Sequence, residues 1–378
     1  MGTFKDGVNR KMNTDLLVKQ PEIRDFQIEK KAGRKFLSGL FSPPSDKDRL
    51  LLALCAGENN LASLLECVFT AHLVKTRHGM RTEILVHEDT AELALASGVF
   101  DRVLPIDADA SLRSQIQTRN PYVLYAPDPA LNTQMASLFS GVRLRIGGTR
   151  LRLINMLMQL HDREADLAKL KKKGLDLLPE KSNLQFSGQL ARPDFLPDDY
   201  IYLSLFDELE ITAPWPTGHA GRLVRLLEGI GIKVVIPHPA RNQKPAEMKS
   251  MLEYLKKAGA ITFEYSSPTI RASVMQNAKS IIGPAGPETL LASLLGRPVF
   301  ILHDMKSFHD VHEQKNSQIK SSTKISMYLK AAGAMEKHFM PAVEECITDC
   351  DACSFHCCVE YISPERVFES STKPLYPF

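Results

Sequence analysis

Two patterns of apolar and polar positions alternate along the 378-residue chain. Short continuous apolar runs, as expected of strands covered on both faces, are separated by stretches whose apolar residues recur every three or four positions, as on one side of a helix. The first run occupies residues 49–56, Gly57-Glu58-Asn59-Asn60 turns the chain, and 61–74 has helical spacing. Strands are then predicted at 82–86, 101–107, 122–125 and 143–147, with helices at 91–97 and 132–139. A helical stretch at 151–177 leads into an aperiodic, proline-bearing segment at 179–199. The alternation then restarts, with strands at 200–206, 233–236 and 262–264 and helices at 220–230, 246–257 and 269–277. Strands separated by helices imply parallel sheets joined by right-handed crossovers. The predicted fold is therefore α/β, with two Rossmann-like doubly wound domains facing a central cleft.

The most informative unit closes the second series. Ser280-Ile281-Ile282-Gly283-Pro284-Ala285-Gly286-Pro287-Glu288-Thr289 reads as a strand, a tight turn and a helix start. Pro287 occupies the first helical position, and Gly296-Arg297-Pro298 stops the helix before the next apolar run. Backbone N–H groups at such a helix start face the crevice beyond the strand's carboxyl end, where open α/β sheets bind anions. The same pattern also serves as a plain connection, so its function depends on the rest of the chain.

The length suits two domains of about 150 residues each with extensions. The expected division is an N-terminal extension at 1–47, a first domain at 48–178, a linker at 179–199, a second domain at 200–336 and a Cys-rich segment at 337–378. A hydrophobic fraction of 44% and a charged fraction of 24% fit a globular protein, and no apolar run approaches the roughly 20 residues that span a bilayer. The first residues lack the apolar core of a signal peptide, which points to the cytoplasm. With 47 basic against 44 acidic residues there is no general case for nucleic-acid binding. Within the extension, the basic stretch 30–35 precedes Phe36, Leu37, Leu40 and Phe41. It reads either as a solvated arm or as a peripheral contact with the inner face of the cytoplasmic membrane.

Five of the seven cysteines, Cys346, Cys350, Cys353, Cys357 and Cys358, crowd into thirteen residues. The Cys-x2-Cys step lets two sulfurs reach one ion from a tight turn, so a structural zinc or iron site is one reading and a packed thiol-rich loop is the other. Neither assigns the cluster a part in catalysis.

Residues 50–107, with an apolar strand ending in Gly57-Glu58 and a later Asp101-Arg102-Val103-Leu104-Pro105-Ile106-Asp107, resemble the first domain of the family 9 glycosyltransferases. These are the heptosyltransferases of lipopolysaccharide assembly, built on the GT-B architecture. His161-Asp162-Arg163-Glu164-Ala165-Asp166-Leu167 is similar to the family's interdomain helix, and Pro214-Trp215-Pro216 stands at its Arg-Trp-Pro segment. Cys358-Val359-Glu360-Tyr361-Ile362-Ser363-Pro364-Glu365-Arg366-Val367 resembles its terminal motif, so the likeness extends over about residues 48–370.

The resemblance implies an inverting transfer of a sugar, a heptose from an ADP-linked donor, to a lipopolysaccharide core or related glycan, with no cofactor required. It puts the catalytic base at Glu58, where the family has Asp, with Gly57, Asn59 and Asn60 on the acceptor side; Glu58 also reads as a helix-start carboxylate favoured by the dipole. Asn59 and Asn60 are also candidates to cap the following helix. The donor would lie against Ala285, Gly286, Pro287, Glu288 and Thr289. Here the chain departs from the family, because the Asp or Ser, Thr and His of that turn are absent. Glu288 reads either as a ribose ligand or as a helix-end charge. The cation before Trp-Pro is also missing, which leaves Arg222, Arg241, Lys244 and Lys306 as candidates to meet a diphosphate. These losses keep open a non-catalytic binding or assembly protein on the same fold.

Overall fold

The computed structural model describes residues 49–57, 60–128, 130–142, 144–147, 167–172, 175–177, 183–205, 215–238, 246–265, 267–284, 286–303, 332, 339–341 and 362–372. The first sheet contains β1 (Leu50–Cys55), β2 (Arg81–Val86), β3 (Arg102–Pro105), β4 (Val123–Ala126) and β5 (Leu144–Gly147) in the order β3-β2-β1-β4-β5. All its pairings are parallel. Its helices are α1 (Leu61–His78), α2 (Glu88–Ala96), α3 (Leu112–Arg119) and α4 (Leu131–Phe139), followed by α5 (Leu167–Lys172).

The second sheet has β6 (Tyr200–Leu203), β7 (Lys233–His238), β8 (Ile261–Glu264), β9 (Ser280–Pro284), β10 (Val299–His303) and β11 (Phe339–Pro341), again all parallel, in the order β11-β10-β9-β6-β7-β8. Its helices are α6 (Thr217–Gly229), α7 (Ala246–Lys257), α8 (Pro268–Asn277), α9 (Pro287–Leu294) and α10 (Pro364–Thr372). Each sheet reverses its winding once, between β1 and β4 and between β6 and β9, which is the doubly wound topology expected from the strand and helix alternation.

The continuous apolar strands work by supplying two cores at once. Alternate residues of β1 face opposite ways: Leu51, Ala53 and Cys55 enter one cluster, Leu52 and Leu54 another. In β6, Tyr200 and Tyr202 join the cluster that receives Leu51, whereas Ile201 and Leu203 join a third. One core is thus shared by both sheets and is filled by α1, α2, α8 and α9. The outer faces are covered separately, by Ile116 of α3 on the first sheet and by α6, α7 and α10 on the second.

Residues 183–199 run without regular structure along this shared core, where Leu184, Phe186, Leu190 and Leu196 are buried. The Phe186 N–H donates to Leu294 O (2.8 Å) and the Gly188 N–H to Ala96 O (2.9 Å), which ties the strap to both domains. At the chain's end, α10 packs on α6: the fully buried Trp215 donates through Nε1 to Ile362 O at 2.9 Å, and Arg222 pairs with Glu365 at 2.6 Å.

Helix α3 and strand β11 have no counterpart among the predicted elements. Helix α3 is polar with one buried residue, Ile116, so its sequence lacks the periodicity that reveals a helix. Strand β11 falls in the stretch assigned to the Cys-rich segment and extends the second sheet beside β10. No helix of the described residues is long and apolar enough to cross a membrane.

Candidate functional site

In open α/β sheets ligands gather beyond the carboxyl ends of the strands where the winding reverses. In the first sheet that point is flanked by the turn after β1 and by Asp128 after β4. Gly57 and Asn60 are described there; Glu58 and Asn59, between them, are outside the described residues. Asn60 caps α1, its side chain accepting from the Ser63 N–H at 3.0 Å. A methyl group on Gly57 would lie 3.2 Å from Asn60 Nδ2 and 3.5 Å from Asp128 Oδ2, so the turn and the end of β4 adjoin. Asp128 is buried, and its carboxylate accepts from the Ala130 N–H (3.0 Å) and the Thr133 hydroxyl (3.2 Å). It therefore shapes the entry to α4 while standing across the switch point from the β1 turn. The Asp-Pro pair after an apolar run was its only sequence signal, that of a turn.

Beside β1, the His87 N–H donates to Cys55 O at 3.1 Å, and the β1–β2 register extends to put His87 next to Ala56. The ring nitrogen Nδ1 lies 2.7 Å from Asp89 Oδ1. Asp89 also meets the second domain, its carbonyl accepting from the Thr269 hydroxyl at 2.9 Å.

The second sheet's switch point carries the β9–α9 turn. Gly286 is extended, Pro287 begins α9, and Ala285 is outside the described residues. Thr289 is buried and committed to the turn: its hydroxyl accepts from the Gly286 N–H at 3.0 Å and lies 3.0 Å from the carbonyls of Pro284 and Gly286. Glu288 is 6% exposed and points inward, with Oε1 3.1 Å from Nη1 of Arg271 on α8. Arg271 is itself fully buried, its guanidinium carbon 4.3 Å from the centre of the Tyr265 ring. Burial, and next the Glu288 carboxylate, push the neighbouring Tyr202 hydroxyl well above its ordinary pKa. The Glu288 carboxylate is thus turned into the fold toward Arg271. Pro287 carries no N–H and the Leu290 N–H bonds Gly286 O at 3.1 Å, which leaves the N–H groups of Glu288 and Thr289 as the first-turn donors without an acceptor inside the helix.

Helices α1 and α9, which begin at the two turns, pack on each other, as do α2 and α8. Of the cations considered for a diphosphate, Arg222 pairs with Glu365 of α10, and Arg241, Lys244 and Lys306 are outside the described residues. The cysteines at 346, 350, 353, 357 and 358 are outside them as well; among the described residues no three His, Cys, Asp or Glu gather as metal ligands.

No protein-family model matches the sequence, and no curated protein does. Solved structures do match. The chain superposes on E. coli ADP-heptose lipopolysaccharide heptosyltransferase II with a TM-score of 0.54 at 14% identity, covering 85% of this chain and 97% of that one. A family 9 glycosyltransferase from Veillonella parvula gives 0.56 at 11% identity over 87% and 98% of the two chains. By fold, then, this chain has the two-domain GT-B architecture of those glycosyltransferases.

Proposed function

We propose that the chain is an inverting glycosyltransferase that moves a sugar, of the heptose class on an ADP-like carrier, to a lipopolysaccharide core or related glycan. The observation that carries this reading is the presence of two sheet switch points, one with a carboxylate in its turn sequence and one with a Gly-Pro helix start, on sheets that share a core. The fold shared with a heptosyltransferase that acts on ADP-heptose supports the donor class.

In this reading Glu58 takes the proton of an acceptor hydroxyl as its oxygen attacks the sugar's anomeric carbon from the side opposite the nucleotide. The bond between that carbon and the diphosphate oxygen breaks, and the departing charge meets the first-turn N–H groups and the dipole of α9. Gly57, Asn59 and Asn60 form the acceptor side together with Asp128. Such a transfer requires no cofactor, so a zinc or iron at the five clustered cysteines would be structural. Work at the inner face of the cytoplasmic membrane, with residues 30–41 as the contact, belongs to the same proposal.

The test is transfer activity and nucleotide binding measured on the same variants. Glu58→Gln should lower turnover by about 10²–10⁴-fold with nucleotide affinity retained, and Glu58→Asp should keep more activity. Unchanged turnover in Glu58→Gln would remove it as the base. One observation favours a second reading, a non-catalytic binding or assembly protein: both polar side chains of the donor turn, Glu288 and Thr289, are buried in the fold. Calorimetric titration with nucleotide diphosphates separates the two, since a protein that binds none of them fits only the second.

A further inference from the structure

We propose that Arg271 and Glu288 form a positioning pair that locks the β9–α9 turn to α8, the helix that also joins the two domains. The inference rests on the reading of that turn as the donor site and adds two residues to its support. Three observations lead to it.

The pair is buried on both sides, with Arg271 at 0% and Glu288 at 6% exposure, and Arg271 Nη1 donates to Glu288 Oε1 at 3.1 Å, joining α8 to the second residue of α9. Apolar side chains of similar volume fill such a space at least as favourably, whereas a charged, hydrogen-bonded pair specifies one alignment of the two helices. The Tyr265 ring against the guanidinium restricts that alignment further.

Helix α8 is also tied to several neighbouring segments. The Thr269 hydroxyl donates to Asp89 O of the first domain at 2.9 Å. Gln276 accepts from the Leu190 N–H at 2.8 Å and donates to Gly188 O at 2.9 Å, and the Ser273 hydroxyl bonds Ala191 O. The first-domain helix α2, the interdomain strap and the donor turn are therefore held by one helix, and the Arg271 pair connects it to the turn by charge.

The third observation concerns charge. A carboxylate in the first turn of α9 would oppose an incoming diphosphate, but the adjacent guanidinium balances it. The turn thus presents its backbone donors without a competing net negative charge. Arg271 and Glu288 act through the backbone of the turn and need not touch the donor.

Hydrogen exchange of the 286–290 amides tests the pair directly, using Arg271→Met with Glu288→Leu in the full-length chain. Each single substitution should lower the melting temperature, because it strands a buried charge. The double variant should fold with a melting temperature near the parent's, exchange in the 286–290 turn about tenfold faster while α6 stays unchanged, and bind ADP about tenfold more weakly. Parental exchange in that turn would overturn the proposal. Should the double variant not fold, Glu288→Gln, which keeps the shape and removes the charge, is judged by the same criterion. A parent protein that does not bind ADP would count against the donor-site reading, while the exchange result still decides what the pair does.

Discussion

Asp101 shows how a single carboxylate can link several elements of the first domain. Its Oδ1 meets Lys75 Nζ of α1 at 2.7 Å, and its Oδ2 accepts from the Thr82 N–H of β2 at 2.8 Å. Burial acts to raise its pKa, but the Lys75 and Thr82 hydrogen bonds outweigh burial and bring it below the ordinary aspartate value. A depressed native pKa means that the stabilisation is present above the unfolded-state value and is lost as the pH falls through the native one. Asp101→Asn should therefore destabilise the protein at neutral pH, with the difference from the parent closing below about pH 4. Urea unfolding across that range is the measurement, and a pH-independent difference would contradict the assignment. Both partners of the ion pair are more than a third exposed, so screening keeps the effect modest. At the candidate site, the Gly286-Pro287 turn is a local signal, a helix start after an apolar run, whereas Glu58 is singled out only by the resemblance to the glycosyltransferases. Asp128 and Arg271 carry no such signal, since each gains its meaning from a strand or helix remote in sequence.

Among the elements, the interdomain strap tolerates little added volume at Gly188. A methyl group on Gly188 would lie 2.6 Å from the Ala96 Cα, against the backbone at the end of α2. Gly188→Ala should push the strap off α2, weaken the Gly188 N–H bond to Ala96 O and cost about 1–3 kcal/mol, as overpacking commonly does. Faster proteolysis within 183–199 is the expected readout, and parental resistance would show that α2 can yield. The absence of periodicity in 179–199 predicts a linker, and residues 183–199 have no regular structure. What the composition concealed is that Leu184, Phe186, Leu190 and Leu196 are core residues, because an extended strap buries side chains without any helical or strand period. Helix α3 lacks a legible period for the related reason that it has one buried residue, and β11 because three residues beside an existing sheet edge need little sequence signal of their own.

Over the whole molecule, the core shared by the two sheets has an energetic consequence. Neither sheet can expose its inner face without also uncovering the apolar sides of α1, α2, α8 and α9. Thermal unfolding should accordingly be one cooperative transition in calorimetry, with the calorimetric and van't Hoff enthalpies in agreement. Two well-separated transitions would mean that the shared core contributes little to coupling the domains. The sequence by itself determined the two α/β series, the parallel sheets and the turns at both switch points. These depend on runs, periods and breakers a few residues long, which act wherever the chain goes. Only the tertiary structure decided that the two domains share a core, that Asp128 adjoins the Gly57 turn, and that Glu288 is paired inside the protein with Arg271. Those outcomes depend on which helix faces meet and on the cost of leaving a charge unpaired once they do, and neither is written in any local stretch of residues.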